Sequence, residues 1–153
     1  MAAKSEPNIN NFVCFALYSA SRAMTQLYRS YLDDHDLTYP QFLTLFLLWQ
    51  EDGRSVSELS EELLLESATV TPLLKRMEAK GLIKRKRSKR DERVVQIFLT
   101  KQGRAHQPLL GEVGGGMLCD LQMTPTEVRK MAKHLHALRE IINESTERRR
   151  DAE

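Results

Sequence analysis

The sequence is poor in the features that mark membrane, secreted and metal-binding proteins. Its 153 residues contain no apolar run approaching the roughly 20 residues that span a bilayer. The opening segment MAAKSEPNINN lacks the basic start and apolar stretch of a secretory signal. Of the four histidines, His134 and His136 would face different sides of a helix, and the other two are isolated. These absences predict a cytoplasmic protein without membrane contact, metal site or cofactor.

Cysteine is scarce as well. The chain has only Cys14 and Cys119, which are far apart, and it has no Cys-x-x-Cys pair. A stable structural disulfide would be unusual in a reducing compartment. From composition alone, two buried or idle thiols are the favoured interpretation. The hydrophobic share of 41% and the charged share of 29% are those of a globular domain with a core.

The net charge of +2 conceals an uneven distribution. Twelve basic residues and only three acidic ones, Glu78, Asp91 and Glu92, lie between Lys75 and Arg104. This segment therefore carries +9, and the rest of the chain carries −7. Such a concentration predicts a surface that binds a polyanion, although a short basic run can also be a solvated loop.

Apolar spacing predicts a mainly helical chain with one β-hairpin. The predicted elements are helices over 11–33, 38–50, 58–65 and 67–80, strands over 82–87 and 94–99, a helix capped by Thr100 that weakens at Gly111 and Gly114 to Gly116, and a last helix after Thr124. Two short helices joined by a tight turn are a helix-turn-helix, and a following hairpin makes it winged. The last helix carries a narrow apolar seam that suits packing on another long helix.

This order predicts a winged helix-turn-helix over 37–99. Both chain ends, 11–36 and 100–147, are predicted to form a helical dimerisation region within one intertwined domain. A two-fold dimer would read a pseudo-palindromic operator in double-stranded DNA.

The helix over 67–80 is predicted to turn Val70, Leu73, Leu74 and Met77 inward. Its outer face then offers small hydroxyl side chains near base edges and cations near phosphates. An arginine at a thin hairpin tip suits a narrow, A·T-rich minor groove. Asp91 either orients Arg93 or is a plain turn residue. The predicted DNA-binding residues are Ser67, Thr69, Thr71, Lys75, Arg76, Lys89, Arg90, Asp91 and Arg93.

Cys14 falls in the first turn of the first helix, where free backbone N–H groups and the helix dipole favour a thiolate. Tyr28 lies fourteen residues further, about 21 Å along the same helix, and so cannot reach its own Cys14. An antiparallel partner helix would bring the other subunit's tyrosine to the thiol. Core packing is the simpler interpretation for Tyr28 and Tyr39.

Taken together, these stretches resemble the MarR family of transcriptional regulators. The resemblance covers roughly residues 11–145, through CFALYSASRAM, LYRSYL, LTYPQFLTLFLLW and SVSELSEELLLESATVTPLLKRMEAKGLIKRKRSKRDERVVQIFLTKQG. The motifs ATVTPLLKRMEAKGL and DER are typical of the broad family. Cys14 together with Tyr28 and Tyr39 is typical of one subgroup, the organic hydroperoxide resistance regulators (OhrR).

The resemblance implies a homodimeric repressor that an organic hydroperoxide inactivates by oxidising Cys14. Tyr28 and Tyr39 would reach across the dimer to that thiol. Cys119 of the partner subunit would then form a disulfide with it and release the operator. Arg93, held by Asp91, would enter the minor groove. The regulated gene is typically a thiol peroxidase.

Two other functions fit parts of the sequence. One is a MarR-type repressor that a small phenolic ligand releases from DNA, with both cysteines incidental. The other is a thiol peroxidase enzyme, in which the basic hairpin would have no role. The sequence therefore predicts a regulator and not an enzyme.

Overall fold

A computed structural model of the chain describes residues 8–152. The described residues form seven α-helices and one two-stranded antiparallel sheet. They are α1 (Val13–Leu32), α2 (Tyr39–Gln50), α3 (Val56–Leu63), α4 (Ser67–Ala79), β1 (Ile83–Arg87), β2 (Val95–Leu99), α5 (Lys101–Ala105), α6 (Leu109–Asp120) and α7 (Pro125–Arg150). The mainly helical winged helix-turn-helix fold predicted from the sequence is confirmed.

Local capping signals explain where three helices begin. Ser55 accepts the Glu58 N–H at 3.2 Å, while its own N–H donates to the Glu58 carboxylate at 2.6 Å. Thr124 and Glu127 form the same capping box at α7. Thr38 precedes α2, with Pro40 early in the helix. The start of α3 therefore lies two residues before the predicted one, because Ser55 is the cap.

The core lies where α2, α3 and α4 meet the hairpin. Leu45, Leu59, Met77 and Ile97 have no solvent-accessible surface. The strands pair in register from Ile83 with Leu99 to Arg87 with Val95. On its other side β2 is bonded to the segment before α3, through a bridge between Ser55 and Gln96. The hairpin is thus seated on the helix-turn-helix.

The region after the hairpin differs from the prediction. The helix breaks at 106–108, and α6 continues through the three glycines at 114–116. Pro108 has no N–H to donate and disfavours helical backbone in the residue before it, so the break falls there. A helical glycine costs only about 1 kcal/mol relative to alanine. The glycines therefore do not end the helix.

The described residues fall into two compact units, one up to Val113 and one from Gly114. The first holds α1 to α5 and the hairpin, and the second holds the end of α6 and all of α7. Neither α7 nor any other helix within residues 8–152 has the length and apolarity required to cross a bilayer. The assignment of both chain ends to a dimerisation region stays a prediction.

Candidate DNA-binding surface and thiol site

The two faces of α4 are those that its apolar spacing predicts. Val70, Leu73, Leu74 and Met77 are buried against the core. The predicted DNA-binding residues of this helix are all exposed: Ser67, Thr69, Thr71, Lys75 and Arg76. The exposed face therefore carries hydroxyl groups towards the start of the helix and cations further along.

The start of α4 differs from that of α3 and α7. In the described part of the chain, Glu66 at the N-cap position makes no side-chain hydrogen bond to the first turn, whereas Ser55 and Thr124 do so at the other two helices. Uncapped N–H groups at a helix start attract phosphate. In the preceding turn, Leu64 adopts a left-handed backbone (φ 55°) and leaves 66% of its surface exposed. The helix-turn-helix thus presents an open amide end and an apolar side chain.

The hairpin tip is ordered by its own side chains. Asp91 Oδ1 accepts the backbone N–H of Arg93 at 3.0 Å and also its Nε–H at 3.3 Å. Ser88 Oγ accepts the N–H of Arg90 at 3.2 Å. The Arg93 side chain is 92% exposed, and Lys89 is exposed as well. Asp91 therefore both closes the turn and orients Arg93, so the two readings of this residue are compatible.

Sequence reasoning missed a second acid–arginine pair. Glu78, near the end of α4, contacts Arg85 of β1 through both of its carboxylate oxygens, at 3.0 Å to the backbone nitrogen and 2.7 Å to Nε. Hydrogen bonds from Arg85 hold the pKa of Glu78 below its usual value. The sequence offers one signal for this pair, because Glu78 is one of only three acidic residues in the basic segment 75–104.

The two cysteines are free and exposed. Cys14 is the second residue of α1, and Cys119 is the second-last residue of α6. Phe12, which immediately precedes α1, is also exposed. No three histidine, cysteine, aspartate or glutamate side chains within residues 8–152 are grouped as metal ligands.

Tyr28 and Tyr39 lie together, and the structure places their ring centroids 4.5 Å apart. Tyr28 also contacts Phe42 of α2, with centroids 6.1 Å apart. Both tyrosines are half-buried. Burial raises the pKa of both phenols, and for Tyr39 the neighbouring Tyr28 raises it further. Both hydroxyl groups therefore remain protonated donors at neutral pH.

Known proteins resemble the chain over most of its length. The family model described as transcriptional regulator SarA/Rot matches residues 26–108. The HTH-type transcriptional regulator TtmR of Methylorubrum extorquens is 44% identical over 139 residues, which cover 89% of this chain and 70% of that relative. The organic hydroperoxide resistance transcriptional regulator of Bacillus subtilis is 40% identical over 136 residues, which cover 89% of this chain and 92% of that relative.

Solved structures of AbfR from Staphylococcus epidermidis share the fold. Reduced AbfR bound to DNA is 30% identical, with a TM-score of 0.74 and coverage of 88% of this chain and 93% of that one. Disulfide-formed AbfR is 35% identical, with a TM-score of 0.63 and coverage of 83% and 91%. With its exposed basic helix and ordered hairpin tip, this chain belongs to the MarR/SarA family of DNA-binding transcriptional regulators, as a homologue of the organic hydroperoxide resistance regulator.

Proposed function

We propose that the chain is a homodimeric repressor that senses organic hydroperoxides through Cys14. The observation that carries the proposal is the free, exposed Cys14 thiol in the first turn of α1, in a homologue of an organic hydroperoxide regulator. The thiolate is the nucleophilic form of cysteine, and an exposed thiol is open to attack on a peroxide. The disulfide-formed state of AbfR supports thiol oxidation in a relative of the same fold.

The proposed reaction has two steps. The Cys14 thiolate attacks the terminal oxygen of the hydroperoxide, the O–O bond breaks, and the alcohol leaves after taking up a proton. The sulfur becomes a sulfenic acid and the peroxide is reduced by two electrons. The thiolate of the partner subunit's Cys119 then attacks this sulfur, forming the disulfide and releasing hydroxide, which takes up a proton as water.

Tyr28 and Tyr39 are proposed to support the thiolate across the dimer. Their rings lie side by side, with centroids 4.5 Å apart, and both phenols stay protonated because burial raises the pKa of each. Tyr28 cannot serve its own subunit, since fourteen helical residues separate it from Cys14 by about 21 Å. The proposed donors to each thiol therefore come from the other protomer.

DNA is proposed to meet α4 in the major groove and the hairpin tip in the adjacent minor groove. Ser67, Thr69 and Thr71 would face base edges, and Lys75 and Arg76 would face phosphates. At the tip, Arg93 would enter the minor groove beside Lys89 and Arg90. The two winged helix-turn-helix modules of the dimer must match half-sites about 34 Å apart, so a disulfide that shifts these modules releases the operator.

Operator release under peroxide tests the proposal. Wild type, Cys14→Ser and Cys119→Ser are bound to a duplex that the reduced protein has selected from a random pool, and cumene hydroperoxide is then added. We expect wild type to release the duplex and Cys14→Ser to stay bound. Cys119→Ser should form sulfenic acid but no disulfide-linked dimer on a non-reducing gel.

Other outcomes point to other functions. Release of Cys14→Ser at the wild-type dose removes Cys14 as the sensor. If a phenolic ligand releases the duplex equally well with and without reductant, the protein is a ligand-responsive repressor with incidental cysteines. A linked dimer that persists in Cys119→Ser removes that residue as the resolving thiol.

A further inference from the structure

We infer that Glu78 is a positioning residue that sets the angle between α4 and the wing, which is the hairpin formed by β1 and β2. This angle determines whether α4 and the hairpin tip can contact DNA at the same time. One side chain joins the two elements at two atoms. Its Oε1 accepts the Arg85 backbone N–H at 3.0 Å, and its Oε2 accepts the Arg85 Nε–H at 2.7 Å. The inference rests on the proposed reading of DNA by α4 and the wing.

The hydrogen-bond pattern between β1 and β2 explains why the Arg85 N–H is available to Glu78. Leu82 and Ser88, which flank β1, bond towards the other strand, since Thr100 donates to Leu82 and Ser88 donates to Val94. Hydrogen bonds across an antiparallel pair alternate along the strand. Arg85, three residues from each, therefore points its N–H away from β2. The Glu78 carboxylate takes the place that a further strand would occupy at this edge.

The opposite edge of the wing is held by backbone. Ile97 of β2 donates to Arg54 at 2.8 Å and accepts from Gly53 at 3.0 Å. On the β1 side, Leu82 donates to Met77 at 3.0 Å and so fixes only the root of the hairpin. Glu78 makes its contact three residues closer to the tip. Removing this carboxylate leaves β1 held at its root and by β2, so the wing can tilt relative to α4.

Burial distinguishes this pair from the one at the tip. The Glu78 and Arg85 side chains are 35% and 34% exposed, whereas Arg93 is 92% exposed. The Glu78 carboxylate accepts two hydrogen bonds from Arg85, one from the backbone N–H and one from the side-chain Nε–H, and so is held in direction as well as in distance. Glu78–Arg85 is therefore suited to fixing an angle, whereas Arg93, which Asp91 holds, is exposed enough to reach a ligand.

The charge of Glu78 makes the test unusually sharp. A carboxylate beside a DNA-binding surface repels phosphate, so electrostatics alone predicts tighter binding when it is removed. A positioning role predicts the opposite for the selected duplex. Glu61 of α3 provides the matched control, because it is an exposed carboxylate of the same module and its side chain forms no hydrogen bond or ion pair with the hairpin within residues 8–152.

The experiment measures Kd for the selected duplex and for a scrambled duplex, using the full-length reduced dimer. We expect Glu78→Ala to weaken binding to the selected duplex by about tenfold, as for the loss of one coupled contact. Its binding to scrambled DNA should be unchanged or tighter, and Arg85→Ala should show the same loss of discrimination. Glu61→Ala should lose none. Equal or tighter binding of Glu78→Ala to the selected duplex overturns the inference.

A double-mutant cycle with Arg93→Ala separates positioning from general destabilisation. If Glu78 positions the tip, Arg93→Ala costs less affinity in the Glu78→Ala background than in wild type. Glu78→Gln, which keeps one acceptor oxygen, should fall between wild type and Glu78→Ala. Additive losses overturn the inference alone. If Arg93→Ala has no effect even in the wild-type background, the proposed wing contact fails and the inference falls with it.

Discussion

At the scale of single residues, a buried hydroxyl group can act in chemistry or only in packing. Tyr28 and Tyr39 do pack, with their rings in contact and Tyr28 against Phe42. A substitution by phenylalanine keeps the ring and removes only the hydroxyl. It therefore leaves the aromatic contacts in place and tests the proposed hydrogen bond to the thiolate.

We predict that Tyr28→Phe and Tyr39→Phe each slow the oxidation of Cys14 by cumene hydroperoxide. A hydrogen bond to a charged group is worth about 1.5–3 kcal/mol, so each loss should slow the reaction roughly tenfold or more. Operator affinity of the reduced protein should not change. Stopped-flow detection of the remaining thiol measures the rate.

The matched control is Tyr31→Phe, which removes a hydroxyl from the same helix one turn further along. It should react at the wild-type rate. Unchanged rates for both Tyr28→Phe and Tyr39→Phe would show that these tyrosines serve packing alone. The two phenols also affect stability at alkaline pH. Burial raises the pKa of each phenol in the folded protein. The stability that each protonated phenol contributes is therefore complete below about pH 10 and is lost as the pH rises through the raised pKa.

At the scale of elements, glycine has opposite effects in neighbouring helices. A side chain added at Gly103 of α5 would place its Cβ 2.1 Å from the backbone oxygen of Leu82. Trp49 also donates to the Gly103 oxygen at 3.0 Å, so α5 is held against the hairpin root and α2. A Cβ at Gly111 of α6 meets nothing within 4 Å. Gly103 therefore permits a close approach of α5 to Leu82 that a side chain would block, whereas no neighbouring atom requires glycine at position 111.

Gly103→Ala should therefore lower the free energy of unfolding by about 2 kcal/mol or more, because a rigid backbone oxygen must move. Gly111→Ala, the control, should raise it by up to about 1 kcal/mol through helix propensity. Urea unfolding followed by circular dichroism measures both. A Gly103→Ala protein as stable as wild type would contradict the close contact.

The elements also show how far sequence reasoning reaches. The faces of α4 and the pairing of the hairpin could be predicted because burial repeats with a period of 3.6 or 2 residues. The break at 106–108 is not evident from apolar spacing, because it depends on Pro108 alone, which disfavours helical backbone in the residue before it. By sequence alone, Glu78 is only one of three acidic residues within a basic segment. Its partner Arg85 is seven residues away along a chain that must first turn back, so no local period reveals the contact.

At the scale of the whole molecule, the helices at the two chain ends bury very little. Only Leu32 of α1 is fully buried, and no residue of α7 is. Yet α7 carries an apolar stripe at three- and four-residue spacing, in which Met131, Leu135 and Ile142 are about half exposed. A long helix with such a stripe and no buried side chain suits packing on another helix. The proposed homodimer supplies that partner.

We predict that Leu135→Lys converts the protein to a folded monomer with weakened operator binding. In a two-fold dimer each substitution occurs twice, and a charge placed in an apolar seam loses its hydration without gaining a partner. His136→Lys adds a charge on the exposed side of α7 opposite the stripe and should stay dimeric. Light scattering coupled to size exclusion measures mass, and circular dichroism checks that helix content is kept. A Leu135→Lys protein that stays dimeric with wild-type affinity would place the subunit contact outside this stripe. The proposed contacts of Tyr28, Tyr39 and Cys119 with Cys14 of the other protomer would then require a different dimer geometry.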